Sequence, residues 1–410
     1  MQNSASMPAL NREGHLPRQQ EQKTKLIPDE RGLLDVPFLV LTVLLVTIGV
    51  IMMFSASYAR AYADKHNSTY YFARQAVFAL VGIGIMLFVS RINYQIWRGV
   101  SMIILAGSVF LLILVALFGT DGYGAKRWIQ IGIFSFQPSE VAKLAIIMAF
   151  ASMMSVYRDK MQTVRYGILP YAAILVVICG LTALERHFSG VLIILALGAT
   201  MMFLGGVEMK WFLIGGALVG AFAAIYLATM GYASARVTAW RDPASNPTGD
   251  GYQILQSLYA IGSGGLMGLG FGRSRQKYLY LPFEHNDYIF PIVCEELGFI
   301  GAIGILALFA LLIIRGYWIA MHARDRFGAL LAAGITTHLA LQTFLNIAVV
   351  TNFLPATGIS LPFFSYGGTS LLLLLGEMGV LLSISRAGNA REERMAEQHR
   401  AETDRMLHRT

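Results

Sequence analysis

The stretch that decides the fold is Leu34–Ala56, LDVPFLVLTVLLVTIGVIMMFSA, in which Asp35 is the one charged residue. A helix needs about 20 mostly apolar residues to cross a hydrocarbon core of ~30 Å, and this run meets that length. Ser55 and Ser57 around Ala56 loosely resemble a signal-peptidase site. The run is nevertheless too long for the core of a signal peptide and follows a polar tail of 33 residues, so we predict an uncleaved membrane anchor.

Apolar runs of similar length recur through the 410 residues, of which 56% are hydrophobic and only 14% charged. A soluble protein carries about a quarter charged residues, so this composition excludes an ordinary soluble enzyme. Only helices and closed barrels satisfy their backbone in lipid, and these runs are too long for barrel strands. We therefore predict an all-α polytopic membrane protein with about ten transmembrane helices, at 34–56, 72–90, 99–119, 137–156, 167–184, 188–206, 210–229, 288–314, 328–350 and 365–386.

The distribution of Lys and Arg predicts the orientation of these helices, because cytoplasmic loops carry the basic excess. With the N-terminus inside, the cytoplasmic segments hold 20 basic residues and the outer segments hold 10. This predicts cytoplasmic tails at 1–33 and 387–410, a membrane domain at 34–386, and a long extracytoplasmic loop at 230–287 between helices 7 and 8. The net charge of +8 is then a topology signal, with a contribution from anionic membrane lipid, and not a nucleic-acid patch.

The first polar block runs through 124–144, on the predicted outer side. Glu140 and Lys143 are three residues apart, so they share a helix face and can pair. Charge within a span is costly and favours a functional role. Two interpretations stay open: a well-capped helix start, or a polar cavity near the outer leaflet lined by Lys126, Arg127, Glu140 and Lys143.

The second block is the long loop 230–287. Its glycines match neither a dinucleotide-binding nor a Walker spacing, so we predict no nucleotide cofactor. Arg273, Arg275 and Lys277 alternate, and in an extended segment all three would point the same way. Such a face suits a phosphate or pyrophosphate, and the alternative is a solvated basic loop.

Asp287 closes this loop at the mouth of the eighth span, where a helix N-terminus favours its ionised form. A carboxylate there can act as a general base or a metal ligand, and the alternative is a simple helix cap. Glu295 and Glu296 lie two turns deeper. Adjacent carboxylates cannot share one helix face, so we expect at least one to point into the bundle and pair there.

The third block, 352–370, has no Lys or Arg but is rich in proline, glycine and hydroxyl groups. Broken backbone at membrane depth is tolerated where it is buried in protein or lines a cavity. We interpret the block as a wall of the same outer pocket, with Ser365 as a candidate substrate contact, and the alternative is a plain turn before the last helix.

Together the three blocks resemble the SEDS family (shape, elongation, division and sporulation) of polytopic peptidoglycan glycosyltransferases. The run 274–277 is more similar to the division and sporulation members (FtsW and SpoVE types) than to the elongation member RodA. The resemblance covers Leu34–Arg386. Its motifs are GAKRWIQIGIFSFQPSEVAKLA (124–145), GDGYQILQSLYAIGSGGLMGLGFGRSRQKYLYLP (249–282), HNDYIF (285–290), EELGFIG (295–301) and LPATGISLPFFSYGGTSL (354–371).

The resemblance implies polymerisation of lipid II, the undecaprenyl-pyrophosphate-linked disaccharide-pentapeptide, at the outer face of the bacterial cytoplasmic membrane, in division or sporulation septum synthesis. Asp287 falls on the family's essential aspartate, which implies that it deprotonates the acceptor 4-hydroxyl or holds a divalent cation, Mg²⁺ or Mn²⁺. The implied partners are a class B penicillin-binding protein (a transpeptidase) and other divisome components. From charge and side we infer that Lys126, Arg127, Arg273, Arg275 and Lys277 could stabilise the departing pyrophosphate.

Two features depart from the family pattern. Pro282 is followed by Phe283 where the family has Pro-Glu, and the turn after the fifth span reads 185–190, ERHFSG, where the family often has Pro-Asp. Two other functions stay open. A lipid II flippase would need polar groups along a route across the membrane, whereas here they crowd the outer half. A scaffold for a transpeptidase would not need Asp287.

Overall fold

The computed structural model describes residues 32–407 except 123–124, 132–133, 186, 230 and 250, and it describes the backbone alone at 120–122, 125–126, 131, 134, 222–223, 225–229, 231–235 and 391–407. Within these residues nine helices are long and apolar enough to cross a membrane, and Met209–Ala221 is a shorter apolar helix. The prediction of a polytopic helical membrane protein is confirmed.

The described residues form twelve α-helices, and the ten predicted spans correspond to α1–α7 and α10–α12. The bounds are α1 Val36–Lys65, α2 Tyr70–Val89, α3 Gln95–Phe118, α4 Pro138–Val156, α5 Leu169–Leu184, α6 Phe188–Gly205, α7 Met209–Thr229, α8 Gly231–Arg241, α9 Tyr252–Ser263, α10 Ile289–Met321, α11 Arg326–Val350 and α12 Gly368–Leu407.

Capping explains where α1 begins. The Asp35 carboxylate accepts a hydrogen bond from the backbone N–H of Phe38 at 3.0 Å, and Pro37 occupies the first turn, where its missing N–H costs nothing. The Arg315 guanidinium donates to both Asp35 oxygens at 3.0 Å, which joins the start of α1 to α10. Asp35, the one charge in the opening run, therefore serves the structure.

A small antiparallel sheet is an addition to the predicted all-α architecture. It contains β1 Thr120–Gly122, β2 Ala125–Ile131 and β3 Phe134–Phe136 in the order β1-β2-β3. The sheet lies between α3 and α4 in the chain. Strands β2 and β3 belong to the first polar block, β1 precedes it, and the middle strand β2 carries Lys126 and Arg127.

The helices divide into a buried centre and a lipid-facing exterior. Within their membrane-spanning parts, α4, α11 and α12 (as far as Ala390) bury most of their residues, whereas α2 and α3 bury fewer than a third. In lipid, apolar side chains on the outer surface carry no penalty, so exposed Leu and Phe mark the surface that faces the acyl chains. All three polar blocks lie at one end of the bundle, where α2, α4, α6, α10 and α12 begin, and we call this the cavity end.

The loop predicted at 230–287 contains two helices, α8 and α9, followed by turns that pack against α10. Helix α10 is kinked at Gly298, whose φ of 67° is favourable for glycine alone. A Cβ atom on Gly298 would lie 2.2 Å from the backbone nitrogen of Gly268, so the close approach of loop and helix also requires glycine.

Helix α12 continues beyond the predicted boundary at 386, and its backbone is helical as far as Leu407. Near that boundary the Arg386 guanidinium donates to the carbonyl of Gly32 at 3.3 Å, and the Asn389 amide donates to that of Leu33 at 2.8 Å. The two ends of the membrane domain therefore meet, at the end of the bundle opposite the cavity end.

Candidate active site

A cavity of about 430 Å³ opens among the three polar blocks at the cavity end. Strand β2, helices α2, α4, α6, α11 and α12, and the turns at 283–287 and 358–367 contribute its walls. The structure thus brings together five of the residues singled out in the sequence: Arg127, Glu140, Lys143, Asp287 and Ser365.

Hydrogen bonds from α11 and from the third polar block fix the turn that carries Asp287. The Asn346 side-chain amide, from α11, donates to the main-chain carbonyls of Asp287 at 2.8 Å and Ile359 at 2.6 Å. The Ser365 hydroxyl donates to the carbonyl of Asn286 at 2.7 Å and accepts from the N–H of Leu361 at 2.7 Å. Ser365 lines the cavity, but its hydroxyl is engaged in fixing this turn.

Tyr366 and two residues of helix α2 also stabilise this turn. The N–H of Tyr366 donates to the carbonyl of His285 at 2.8 Å, and the His285 ring stacks on Tyr71 with centroids 4.8 Å apart. The Gln75 side chain donates to the carbonyl of Ser365 at 3.1 Å. His285 is buried as part of this support.

The Asp287 carboxylate itself is left open. It accepts no hydrogen bond from the residues the structure describes, and helix α10 begins after it with Tyr288 as the N-cap, so Asp287 does not act as the helix cap. Burial raises the pKa of Asp287 to about 6, and the nearby Arg127 and His285 oppose that rise. The group is therefore mostly ionised at neutral pH yet more basic than an ordinary aspartate, as a general base should be.

Arg127 also acts on two residues at the turn between α5 and α6. Burial raises the pKa of Glu185 to about 8, against the lowering effect of Arg127. Burial and then Arg127 lower the pKa of His187 to about 3, so this imidazole is neutral. At this turn, where the family often has Pro-Asp, His187 lines the cavity and Glu185 does not.

The predicted pairing of Glu140 with Lys143 is confirmed. The Lys143 ammonium lies 2.8 Å from the Glu140 carboxylate on one face of α4, and the Ser370 hydroxyl of α12 donates to Glu140 at 3.4 Å. Both charged side chains line the cavity, and Lys143 is almost fully buried. The pair places a positive charge in the wall without leaving it uncompensated.

Sequence reasoning missed three ionisable residues of the cavity, Arg74, His338 and Glu377. His338 Nδ1 lies 3.0 Å from a Glu377 oxygen, and both residues are buried. Each of the three stands within a predicted span, at 72–90, 328–350 or 365–386. An ionisable side chain inside a membrane span is itself a signal of function, and applying it to every span would have found them.

Three of the predicted binding cations lie elsewhere. Arg273, Arg275 and Lys277 do not line the cavity. The prediction that all three share one face is wrong, because the turns of their segment bury Lys277 and expose the two arginines. The Lys277 ammonium is buried, 2.9 Å from Glu296 and 3.0 Å from the Ser55 hydroxyl. Arg273 and Arg275 are exposed.

The inward pairing predicted for Glu295 or Glu296 is found for Glu296, which pairs with Lys277. The backbone of Lys126 lies in β2, but its side chain falls outside the described residues.

The cavity does not fit a metal held by the protein alone. Among the described residues no group of three or more His, Cys, Asp or Glu side chains is placed to hold a metal ion. On the cavity wall Glu140 is paired with Lys143 and Glu377 with His338. Asp287 offers a single carboxylate beside the cationic Arg127, which is a poor environment for a divalent cation.

Comparison with known proteins identifies the family. The profile of the cell cycle protein family (FtsW/RodA/SpoVE) matches residues 36–390. The chain is 40% identical over 353 residues to the probable peptidoglycan glycosyltransferase FtsW of Trichlorobacter lovleyi, covering 86% of this chain and 93% of the relative. It is also 40% identical over 362 residues to the stage V sporulation protein E of Bacillus subtilis, covering 86% and 97%.

Solved structures share the fold. One, described as "Structural coordination of polymerization and crosslinking by a peptidoglycan synthase complex", matches with a TM-score of 0.74 at 26% identity, covering 87% of this chain and 98% of the other. The rod shape determining protein RodA of Thermus thermophilus matches with a TM-score of 0.65 at 25% identity, covering 86% and 97%.

Relatives with division and sporulation names share more sequence identity with the chain than the RodA structure does. The predicted family, its division and sporulation type and the enzyme class of peptidoglycan glycosyltransferase are therefore confirmed. A family profile that spans most of the chain, relatives at 40% identity and the shared fold lead to one assignment: the chain belongs to the FtsW/RodA/SpoVE family of cell cycle proteins.

Proposed function

We propose that this membrane glycosyltransferase polymerises lipid II with Asp287 as the general base. The observation that carries the proposal is the open carboxylate. Asp287 is fixed through its own backbone carbonyl, its side chain accepts no hydrogen bond from the described residues, and it faces a polar cavity with a pKa of about 6. A group held in this way is free to accept a proton from a substrate hydroxyl.

The chemistry requires one base and a stabilised leaving group. Asp287 takes the proton of the acceptor 4-hydroxyl as that oxygen attacks the anomeric carbon of the donor sugar. The bond from that carbon to the pyrophosphate breaks, the pyrophosphate leaves with the electron pair, and the configuration inverts because attack comes from the opposite face. Positive charge in the wall stabilises the departing anion, and Arg127, Lys143 and Arg74 are the cations placed there.

A divalent cation enters this proposal only as an ion carried by the pyrophosphate. Mg²⁺ usually keeps several waters and binds through substrate phosphates, so such an ion would leave the Asp287 carboxylate to the acceptor hydroxyl. Such an ion would add positive charge near the leaving group.

We further propose that the cavity end faces outward from the bacterial cytoplasmic membrane and that both termini are cytoplasmic. The basic excess of the segments at the opposite end supports this orientation. The joining of the two ends of the membrane domain through Arg386 and Gly32 supports a shared side for the termini.

The partner that we propose is a class B penicillin-binding protein acting with other divisome components during septum synthesis in division or sporulation. The description of the structurally similar synthase complex, which couples polymerization to crosslinking, supports a transpeptidase partner. In this arrangement glycan strands made at the cavity pass to the partner for crosslinking.

The test is the reaction itself. Purified chain is incubated with purified lipid II, with and without the transpeptidase, and the products are separated by length on a gel. Glycan strands are expected in at least one of the two conditions. Absence of strands in both, together with movement of lipid II across vesicles that contain the chain, would contradict the enzyme and support a flippase.

A further inference from the structure

The Gly-rich loop that follows α9 is fastened to the kink of α10. The N–H groups of Leu269 and Gly270 donate to the carbonyls of Glu295 and Glu296 at 2.9 and 3.1 Å. In return the N–H groups of Phe299 and Ile300 donate to the carbonyls of Gly265 and Leu266 at 2.9 and 3.2 Å. The position of the loop along the membrane normal is therefore set by α10.

The kink marks where α10 begins to face lipid. Before Gly298 the helix is buried, whereas directly after it Phe299 and Ile300 are 60% and 57% exposed. From Phe299 to the end of the helix at Met321 the length is about 35 Å at ~1.5 Å per residue, close to the ~30 Å hydrocarbon core. The kink thus lies near the boundary between hydrocarbon and head groups.

Apolar and charged residues of the Gly-rich loop lie at different depths along the membrane normal. Leu266 and Met267, beside Ile300, are 68% and 78% exposed and lie at the hydrocarbon level. About one turn nearer the start of α10, the N–H of Arg275 donates to the Glu295 carboxylate at 3.0 Å. Apolar side chains on the membrane side and cations on the water side are the arrangement of an interfacial segment.

Exposed aromatic residues flank the two arginines in the sequence. We define the interfacial patch as Phe271, Arg273, Arg275, Tyr278 and Tyr280, all of which are exposed. Tyr and Trp collect at the head-group level of membranes because their rings are apolar and their edges polar. No member of the patch lines the cavity.

The backbone of the patch is fixed by the two buried carboxylates of α10. The Glu295 carboxylate accepts from the N–H groups of Arg275 and Gln276, and the Glu296 carboxylate accepts from Gly272 and Ser274. The buried Lys277 ammonium donates to Glu296 and adds a further contact to this support. Because the backbone between the two arginines is already fixed, binding an anion there requires little further ordering.

We propose that the interfacial patch is a binding site for the phosphate head group of an anionic membrane phospholipid. Arg273 and Arg275 donate to the phosphate, as guanidinium groups do strongly, and the acyl chains lie along Leu266, Met267 and the exposed start of the α10 membrane segment. Within the described part of the chain neither guanidinium forms an ion pair and both are exposed, so both are available. The site is separate from the cavity and does not depend on the reaction proposed for it.

The test uses purified full-length chain in neutral detergent, with bound lipid counted by native mass spectrometry. The probes are dioctanoyl phosphatidylglycerol, which is anionic, dioctanoyl phosphatidylcholine, which is zwitterionic, and undecaprenyl pyrophosphate. The variants are Arg273→Gln with Arg275→Gln, and the matched control Arg241→Gln, another exposed arginine of the same inter-helix segment. Thermal unfolding of each variant shows that it is folded.

We expect phosphatidylglycerol to bind the wild type and the Arg241→Gln control more tightly than phosphatidylcholine does, and the double variant to bind it roughly 25-fold more weakly. Equal binding of the two phospholipids to the wild type, or unchanged phosphatidylglycerol binding by the folded double variant, would overturn the proposal. It would also be overturned if undecaprenyl pyrophosphate alone lost affinity in the double variant, because the patch would then serve the substrate lipid.

Discussion

The side-chain amide of Asn346 donates to the main-chain carbonyl of Asp287 at 2.8 Å, and through this bond α11 fixes the turn before α10. The contact positions the proposed base without using its carboxylate. A hydrogen bond to the carboxylate would have stabilised the ionised form and lowered its basicity. Holding the backbone instead leaves both carboxylate oxygens for substrate.

Replacing Asn346 by Ala should therefore reduce turnover more than substrate binding. The carbonyls of Asp287 and Ile359 would lose their donor in a buried site, which costs roughly 1–3 kcal/mol for each unsatisfied group. We expect lower thermal stability and a lower kcat with little change in KM, measured on lipid II polymerisation. A variant with normal kcat would show that the carboxylate does not need this support.

The activity should depend on pH through Asp287. Its pKa of about 6 lies above that of an ordinary aspartate, and a base must be ionised, so kcat/KM should rise between pH 5 and 7 and then level off. The free energy of unfolding should change with pH in the opposite direction to the activity. Because the folded state holds this proton more tightly, stability should decrease as pH rises from about 4 to 6. Activity that does not change across this range would contradict the assignment.

Glu185 offers a separate test of electrostatics near Arg127. Its pKa of about 8 keeps the carboxyl protonated at neutral pH, so Glu185→Gln should polymerise lipid II at the wild-type rate at pH 7. Above pH 8 the wild type gains a negative charge that the variant lacks, and the two should diverge. A large loss of activity in the variant at pH 7 would show that an ionised Glu185 is required.

Lys277 should matter for stability and not for substrate. Its ammonium is buried against Glu296 and does not line the cavity. Breaking a buried pair by removing one partner costs about 3–5 kcal/mol, so Lys277→Met should lower the unfolding temperature clearly. Per folded molecule its KM for lipid II should remain unchanged, and a raised KM would restore the role predicted from the sequence.

The His338–Glu377 pair should show coupling between its members. Either His338→Leu or Glu377→Leu alone leaves an uncompensated polar group inside the bundle, whereas the double replacement removes both. We expect the two single variants to be less stable than the double variant in a double-mutant cycle of thermal unfolding. Additive losses would show that the two side chains stabilise the fold independently.

Much of the fold could be predicted because bilayer thickness fixes helix length. Among the described residues, nine of the ten apolar runs give helices long and apolar enough to span a membrane, and the run at 210–229 gives α7, whose apolar part Met209–Ala221 is shorter. Helix α1 continues nine residues past Ala56, because no glycine or proline interrupts residues 57–65. The short sheet around Arg127 was not predicted, because its strands of three and seven residues show no sustained alternation of apolar and polar residues. Polarity alone did not distinguish a sheet from a loop there.

The candidate site was predictable where residues cluster in sequence and less so where distant segments meet. Asp287, Glu140 and Lys143 could be found because polar residues concentrate at helix starts. The prediction for the Arg273–Lys277 segment failed because alternating residues share a face only in an extended backbone. Here the carboxylates of Glu295 and Glu296 fold it into turns, a tertiary effect that the segment alone does not reveal.

The most direct test of the central claim is polymerisation of purified lipid II by Asp287→Asn, with the exposed Asp242→Asn as a matched control. Asparagine keeps the size of the side chain and removes the basic carboxylate. If Asp287 is the base, the variant should bind lipid II as the wild type does and polymerise it roughly 10²–10⁴-fold more slowly, while the control keeps wild-type activity. Equal rates of strand formation by Asp287→Asn and the wild type would contradict the account.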